Sequence, residues 1–315
     1  MNSISSRNGT NYSSETVLAQ LSVRKASLDQ SQQEIATGKR INKASDDPVG
    51  AAQAERAMTR IERIKIEQRA MDVQRSNLTL AESSLGEGIE YLQRSRELVI
   101  AARNGAIDIS QRTSIANEIQ GLRNRLFQLA NRQDSNGMAL FGGLGSVNIP
   151  FVEVPGAGVG TVTVNFKGVA GLAATSDVSL PLALDGESAF MFQAAVGPSS
   201  SIFDALDTVV AALKANPTTV ATFNTAITQG LNDIDTGFSQ LSLARGQAGE
   251  YLNQSDRIES LLNVRNDQSE TELSRVQDLD MAQGISKMQL NQTAYEIALK
   301  SYAQMQQLSL FNFLN

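Results

Sequence analysis

From residue 57 to residue 99 an apolar side chain returns at every seventh position: Ala57, Ile64, Met71, Leu78, Leu85, Leu92 and Val99. Ile61 and Ile89 follow Ala57 and Leu85 by four, but the other companion positions are Gln68, Arg75, Glu82 and Arg96. One continuous apolar seam with a partly polar flank predicts a long helix packed along one side against other helices. Gly86 and Gly88 are candidate bend points within it. A second helix is expected to start at an N-cap near Ser110, with Ile115, Ile119, Leu122, Leu126 and Leu129 spaced by fours and threes. The turn-rich stretch RQDSNGMALFGGLGS (132–146) closes it.

Prolines stand at 48, 150, 155, 181, 198 and 217, so two long proline-free arms flank a proline- and glycine-rich middle. Long helices are confined to the arms, because an interior proline costs ~3 kcal/mol. Residues 146–200 change character. Thr161, Val162, Thr163, Val164, Asn165 and Phe166 alternate and are β-branched, which predicts a strand and a small β-rich domain. Helix returns at SIFDALDTVVAALKANP (201–217) and dominates from Pro217 onward. The fold class is therefore mainly α, built from both chain ends, with a β-rich insertion in the middle.

The two ends are weaker. Leu21, Leu28 and Ile35 lie seven apart, but Arg24 and Ser31 fill the intervening positions. Near the other end Met281, Ile285, Met288, Tyr295, Leu299 and Tyr302 suggest a seam, with Leu290, Ala294, Ile297 and Leu308 as a second stripe. Three aliphatic side chains cannot offset the entropy of ordering so long an N-terminal helix. Such a helix is expected to order only by packing on others, its C-terminal counterpart and those of neighbouring molecules.

With 315 residues the chain has room for two or three domains. Its net charge of −6 gives no bulk attraction to nucleic acid or anionic lipid. The basic stretch from Arg56 to Arg75 is interleaved with Glu55, Glu62, Glu67 and Asp72, as on a solvated helix face. No stretch approaches the ~18–20 apolar residues of a membrane span, so membrane insertion is not expected. MNSISSRNGTNYSSETV at the N-terminus lacks the apolar core of a cleavable signal, so export is expected to use a route that ignores one.

Cysteine and histidine are both absent. Thiol nucleophiles, disulfides, imidazole bases and the usual zinc sites are thereby excluded. Few aromatics and no tryptophan argue against a deep aromatic ligand pocket, and no cofactor or metal is expected. SVRK (22–25) fits S-x-x-K but lacks the companion motifs of acyl-transfer enzymes. GAGVGT (156–161) ends in Thr161 where a dinucleotide loop needs glycine. DIDTG (233–237) lacks the remaining calcium ligands. Only carboxylate pairs remain for catalysis, as in glycosidases, and no cleft-forming domain is apparent to hold them.

The densest charge cluster is TGKRINKASDDPVGAA (37–52). Adjacent Asp46 and Asp47 do not face one another, which disfavours an acid–base pair. Ser45 or Asp46 ahead of Pro48 is instead the expected start of a helix, a capping oxygen followed by proline in the first turn.

This stretch resembles the N-terminal signature of bacterial flagellins and flagellar hook-associated proteins. DLDMAQGISKMQLNQTAYEIALKSYAQMQQLSLFNFLN (278–315) resembles their C-terminal helix. Leu140–Gly143 matches an LFGG-like turn, and Gln307–Leu314 a tail, typical of the members at the hook–filament junction; flagellin is the alternative. The likeness covers roughly 1–145 and 245–315. It implies an inner coiled coil (1–45 with 275–315), a helical rod (46–145 with 201–274) and an outward-facing domain (146–200). It also implies helical self-assembly, flagellin and hook-associated protein 1 as neighbours, unfolded type III export and an export chaperone on the C-terminal segment. Residues expected at assembly contacts are Leu21, Leu28, Ile35, Met281, Ile285, Met288, Tyr295, Ile297, Leu299, Tyr302 and Leu308. Arg40, Asp46 and Asp47 are expected to form an elbow between layers, with Lys39 and Lys43 as further ion-pair candidates. A non-enzymatic structural subunit follows, and an adhesive role for the middle is a secondary expectation.

Overall fold

The structure, a computed structural model, describes residues 3–103, 108–144, 149–156, 162–171, 180–192, 200–215 and 220–314, with backbone alone for 3–14, 200, 220 and 308–314. The elements in order are α1 (Ser3–Thr37), α2 (Pro48–Ala102), α3 (Ile109–Ala130), β1 (Phe151–Pro155), β2 (Val162–Phe166), α4 (Gly186–Phe190), β3 (Met191–Phe192), β4 (Ser200–Ser201), α5 (Ile202–Lys214), α6 (Val220–Gln277) and α7 (Met281–Leu314). The chain divides into two compact units, residues 66–263 and residues 1–65 with 264–315.

In the 66–263 unit the predicted seam of α2 is buried: Met71, Leu78, Leu85, Leu92 and Val99 all lie in the core. Its partner is α6, which carries a heptad of its own, Ile227, Ile234, Leu241, Ala248, Ser255 and Leu262, all buried. The two run antiparallel, since contacts descend one helix as they climb the other. Gln68 Nε2 donates to Asn263 (2.8 Å), Arg75 pairs with Glu259 (2.7 Å) and Asp256 (3.0 Å), Arg245 with Glu82 (2.7 Å), and Arg96 with Asp235 (2.7 Å). The polar companions in the α2 pattern are thus cross-helix partners that set register, as flanking charges do in coiled coils.

α3 lies antiparallel on α2: Arg94 pairs with Glu118 (2.9 Å), and Arg132 with Ser84 (3.1 Å) and Glu87 (3.4 Å). Its N-cap is Asp108, not Ser110. Asp108 Oδ1 accepts from the Gln111 backbone N–H (2.7 Å), and the Gln111 side chain returns the bond, a reciprocal box that a serine two residues later cannot make. α5 packs between α3 and α6, with Val209 over Gly230 and Ile202 over Gly237.

The middle segment contributes two antiparallel two-stranded sheets, β1–β2 and β3–β4; Phe151 pairs with Phe166 in the first. The strand read at 161–166 starts at Val162, residue 161 lying outside the described residues. This segment is anchored by phenylalanines. Phe151 meets Phe166 and Phe190 at 5.2 Å and Phe203 at 5.8 Å, Phe141 meets Phe190 at 5.2 Å, and Phe127 meets Phe203 at 5.6 Å. The few aromatics of the chain are concentrated where short strands join long helices, because rings supply the most buried area per residue. Arg123 is enclosed in the same region. Its side chain pairs with Asp207 (2.9 Å) and Glu153 and lies over the Phe127 and Phe203 rings.

In the other unit α1 and α7 run antiparallel, joined by Lys287 Nζ to Glu34 Oε2 (3.1 Å) and Asn291 Nδ2 to Ser31 Oγ (2.8 Å). A small core of Ile41, Ala54 and Val276, flanked by Ala51 and Leu273, sits near the α1–α2 connection.

Candidate assembly surfaces and the 37–52 elbow

α1 ends because Gly38 adopts a left-handed φ of 68°, which glycine takes without steric cost. The chain then bridges to the far side of the unit. Arg40 N–H donates to Gln277 O (2.7 Å), Leu279 N–H donates to Gly38 O (2.9 Å), and Lys39 pairs with Asp278 in an antiparallel bridge.

Asp47, rather than Ser45 or Asp46, caps α2. Its Oδ1 accepts from Gly50 N–H (2.9 Å), its carbonyl accepts from Ala51 N–H (2.8 Å), and Pro48 takes the first helical place. The Gly50 N–H holds the Asp47 carboxyl below its ordinary value, against the cost of burial and with help from Arg40. Asp46 instead tightens the turn before it, its Oδ2 accepting from Asn42 N–H (3.1 Å) and Lys43 N–H (2.9 Å). Arg40 spans the elbow, with Nη1 3.3 Å from Asp47 Oδ2 and Nη2 donating to Val276 O (2.8 Å). Gly50 is confined by this packing, since a Cβ would stand 2.5 Å from both Asp47 Oδ2 and Ile41 Cδ1. The two aspartates therefore each hold backbone, and neither faces the other across a reacting centre. Beside them an open groove of about 450 Å³ is lined by Ile41, Ala44, Pro48, Ala51, Ala54 and Met58.

The predicted contact residues on the end helices divide into two groups. Leu21, Leu28 and Ile35 are half-buried on α1, and Met288, Tyr295 and Tyr302 on α7. Met281, Ile285 and Leu299 belong to the same predicted seam but are exposed; the face that meets α1 steps through Met288, Asn291, Tyr295, Ala298 and Tyr302. Ile297 is 59 % exposed and Leu290 70 %, on a face turned well away from that contact. The Leu308 side chain lies outside the described residues. Among the described residues of α1 and α7 the buried ones are Ser31, Glu34 and Gly284, and no aliphatic or aromatic side chain is buried.

Those two polar residues, with Lys287 and Asn291, join the helices and escape a search for apolar periodicity. Of these, only Ser31 leaves a signal in the sequence, as a polar residue filling an intervening position of the α1 heptad. Apolar groups nevertheless surround α7: half-buried ones on the α1 side, Met281, Ile285 and Leu299 on a flank, Leu290 and Ile297 beyond. A helix apolar around its circumference is suited to burial on several sides. Among the described residues no three metal-ligating side chains cluster, and no helix is long and apolar enough to cross a membrane.

Comparisons with known proteins bear on these surfaces. The bacterial flagellin N-terminal helical region matches residues 9–146, and the bacterial flagellin C-terminal helical region matches 231–314. The chain is 29 % identical to flagellar hook-associated protein 3 of Escherichia coli K12 over 89 % of this chain and 90 % of that protein. It is 25 % identical to Bacillus subtilis 168 flagellin over 94 % and 95 %. Its fold is similar to the flagellar hook-associated protein-3 structure from Legionella pneumophila (TM-score 0.62, 19 % identity, 70 % of this chain and 98 % of that one). The Xanthomonas campestris FlgL structure is similar too (TM-score 0.59, 20 % identity, 70 % and 99 %).

Proposed function

Because this chain belongs to the bacterial flagellin family, we propose that it is a structural subunit joining hook to filament by helical self-assembly. The observation that carries this is the α1–α7 pair. It holds together through polar contacts while apolar side chains around α7 stay uncovered in the free chain. Similarity along nearly the whole length to hook-associated protein 3 supports the junction role.

In this reading residues 1–45 and 275–315 form the inner layer, 46–145 and 201–274 the helical layer, and 146–200 the outward part. Leu21, Leu28, Ile35, Met281, Ile285, Met288, Tyr295, Ile297, Leu299, Tyr302 and Leu308 contact neighbouring copies, and Arg40, Asp46 and Asp47 hold the bend from which they project. The neighbours are further copies, hook-associated protein 1 and flagellin. The chain travels unfolded through the flagellar type III apparatus without a cleaved signal, with a chaperone on its C-terminal segment, and works outside the cell as a non-catalytic part. Weakly self-stable end helices suit that route, since they order only once neighbours cover them.

Flagellin is the second reading, favoured by the full-length match to the B. subtilis protein. Immunogold labelling of isolated flagella separates the two. Label confined to the distal end of the hook is expected; label along the filament, with a band as abundant as the filament itself, would favour flagellin.

A further inference from the structure

Asparagine is followed by glycine three times in this chain, at Asn8–Gly9, Asn104–Gly105 and Asn136–Gly137. The pair is chemically unstable in flexible chains, because glycine has no side chain to shield its backbone nitrogen from the preceding amide. Asn8 lies within helix α1, and Asn104 lies outside the described residues. Asn136–Gly137 stands in the turn after α3, where the partners of the reacting groups are all seen.

This turn is a short hairpin. Asp134 N–H donates to Met138 O (2.8 Å), Leu140 N–H donates to Arg132 O (3.0 Å), and Gln133 bridges Ala139. Gly137 takes a φ of 78°, the left-handed place that closes such a loop. Asn136 is exposed, and a Cβ on Gly137 would meet nothing within 4 Å, so water reaches the pair. Asp134 holds it still. Its Oδ1 accepts from Asn136 N–H (2.8 Å) and Met138 N–H (2.9 Å), and its carbonyl oxygen accepts from Gly137 N–H (3.1 Å). Asn77 Nδ2 donates to Asp134 Oδ2 (3.0 Å) and ties the turn to α2. The Gly137 nitrogen is thus engaged as a donor, with the residues on either side of it held as well. Although burial raises it, the Asp134 carboxyl is held below its ordinary value by these N–H groups. The clamp therefore persists at neutral and alkaline pH, where a backbone N–H can lose its proton.

We propose that Asn136 is a site of spontaneous deamidation whose rate Asp134 sets by holding the turn shut. When the turn opens locally, the Gly137 nitrogen gives its proton to hydroxide and attacks Asn136 Cγ. The Cγ–Nδ2 bond breaks, ammonia leaves with a proton taken from water, and a succinimide ring closes. Water then adds to one of the two ring carbonyls and leaves aspartate or isoaspartate at position 136. Isoaspartate lengthens the backbone by one CH2 inside a loop whose length the hairpin bonds fix. Aspartate adds a second carboxylate beside Asp134. Either product loosens the hairpin that leads into the buried Leu140 and Phe141. This chemistry needs only the folded 66–263 unit and no neighbour, so it stands apart from the assembly reading above.

The test incubates the full-length parent and Asp134→Ala in mildly alkaline buffer and follows all three Asn–Gly pairs by peptide mass spectrometry, with isoaspartate read separately by enzymatic methylation. Asn136 is expected to convert in the parent and to convert about ten- to thirtyfold faster in Asp134→Ala, since each of the two lost backbone bonds shifts an opening equilibrium roughly fivefold. Asn8 and Asn104 should convert at the same rates in both proteins, which separates a freed turn from general unfolding. Asp134→Asn keeps an oxygen for the two N–H groups and should stay near the parent. Equal rates at Asn136 in the parent and Asp134→Ala, no conversion there in either, a rise shared by all three pairs, or an Asp134→Asn rate as fast as that of Asp134→Ala would each overturn the proposal and leave the junction reading intact.

Discussion

Ile297→Asp separates what holds the free chain from what holds the assembly. Ile297 is 59 % exposed, so about two fifths of its surface is covered in the free chain. Full burial of an aliphatic side chain is worth ~1.5–3 kcal/mol, so the substitution should remove about 1 kcal/mol or less from the isolated protein. In an assembly that covers this face the carboxylate has no partner, and desolvating it costs several kcal/mol at every subunit. Leu92→Ala is the control: Leu92 is 0 % exposed in the α2–α6 seam, and its truncation should cost ~2–5 kcal/mol. Each kcal/mol lowers Tm by about 2–4 °C for domains of ~150–250 residues. Circular-dichroism melts of dilute protein should show Leu92→Ala clearly shifted and Ile297→Asp close to the parent. Complementation of a strain lacking the gene should show Ile297→Asp unable to restore attached filaments and swimming. The reasoning fails if Ile297→Asp lowers Tm as far as Leu92→Ala, or if it swims normally.

Three further outcomes follow from the geometry. Arg123→Ala leaves Asp207 and Glu153 without their enclosed cation and should cost ~3–5 kcal/mol. Burial already pushes the Asp207 carboxyl up, with Arg123 opposing it, so removing Arg123 raises it further. A raised carboxyl favours the folded state only where it is protonated, so the deficit against the parent should shrink between about pH 7 and about pH 4.5; urea midpoints at both values test this. Burial pushes the Asp134 carboxyl up, but Met138 and Asn136 N–H groups and Asn77 outweigh it and hold it below the ordinary value of 3.8. Its contribution is therefore present above that value and lost as pH falls through the lowered one, and amide exchange at Asn136 and Met138 should accelerate in acid and stay protected at neutral pH. Asp47→Ala should speed exchange in the first turn of α2 around Gly50, whereas Asp47→Asn, which keeps a capping oxygen and loses the ion pair to Arg40, should largely restore it; equal loosening in both would mean the ion pair, not the cap, holds the turn.

The α2 seam was legible because every seventh position from Ala57 to Val99 is apolar, and periodicity is a local property of the chain. Its partner on α6 was not, because Ala248 and Ser255 occupy central seam positions where a small or polar residue suffices once another helix lies opposite. The polar link between α1 and α7 escaped for the same reason: Ser31 and Glu34 read as interruptions until Asn291 and Lys287 are placed against them. On α7 two apolar stripes were visible, but which residues meet α1 depended on the phase at which two antiparallel helices touch.

At the elbow, the sequence determined that a helix starts beside Pro48 and that the adjacent aspartates are no acid–base pair, since both follow from proline geometry and side-chain direction. Which carboxylate caps the helix was decided only by the folded backbone, which aims the Gly50 N–H at Asp47 and the Asn42 and Lys43 N–H groups at Asp46. Composition likewise determined that imidazole and thiol chemistry are excluded and that the ends are poor in apolar side chains. Only tertiary structure decided where the phenylalanines meet and which apolar faces stay uncovered. Pattern records the chemistry of a face, and burial depends on whether another segment, distant in the chain, comes to lie on it.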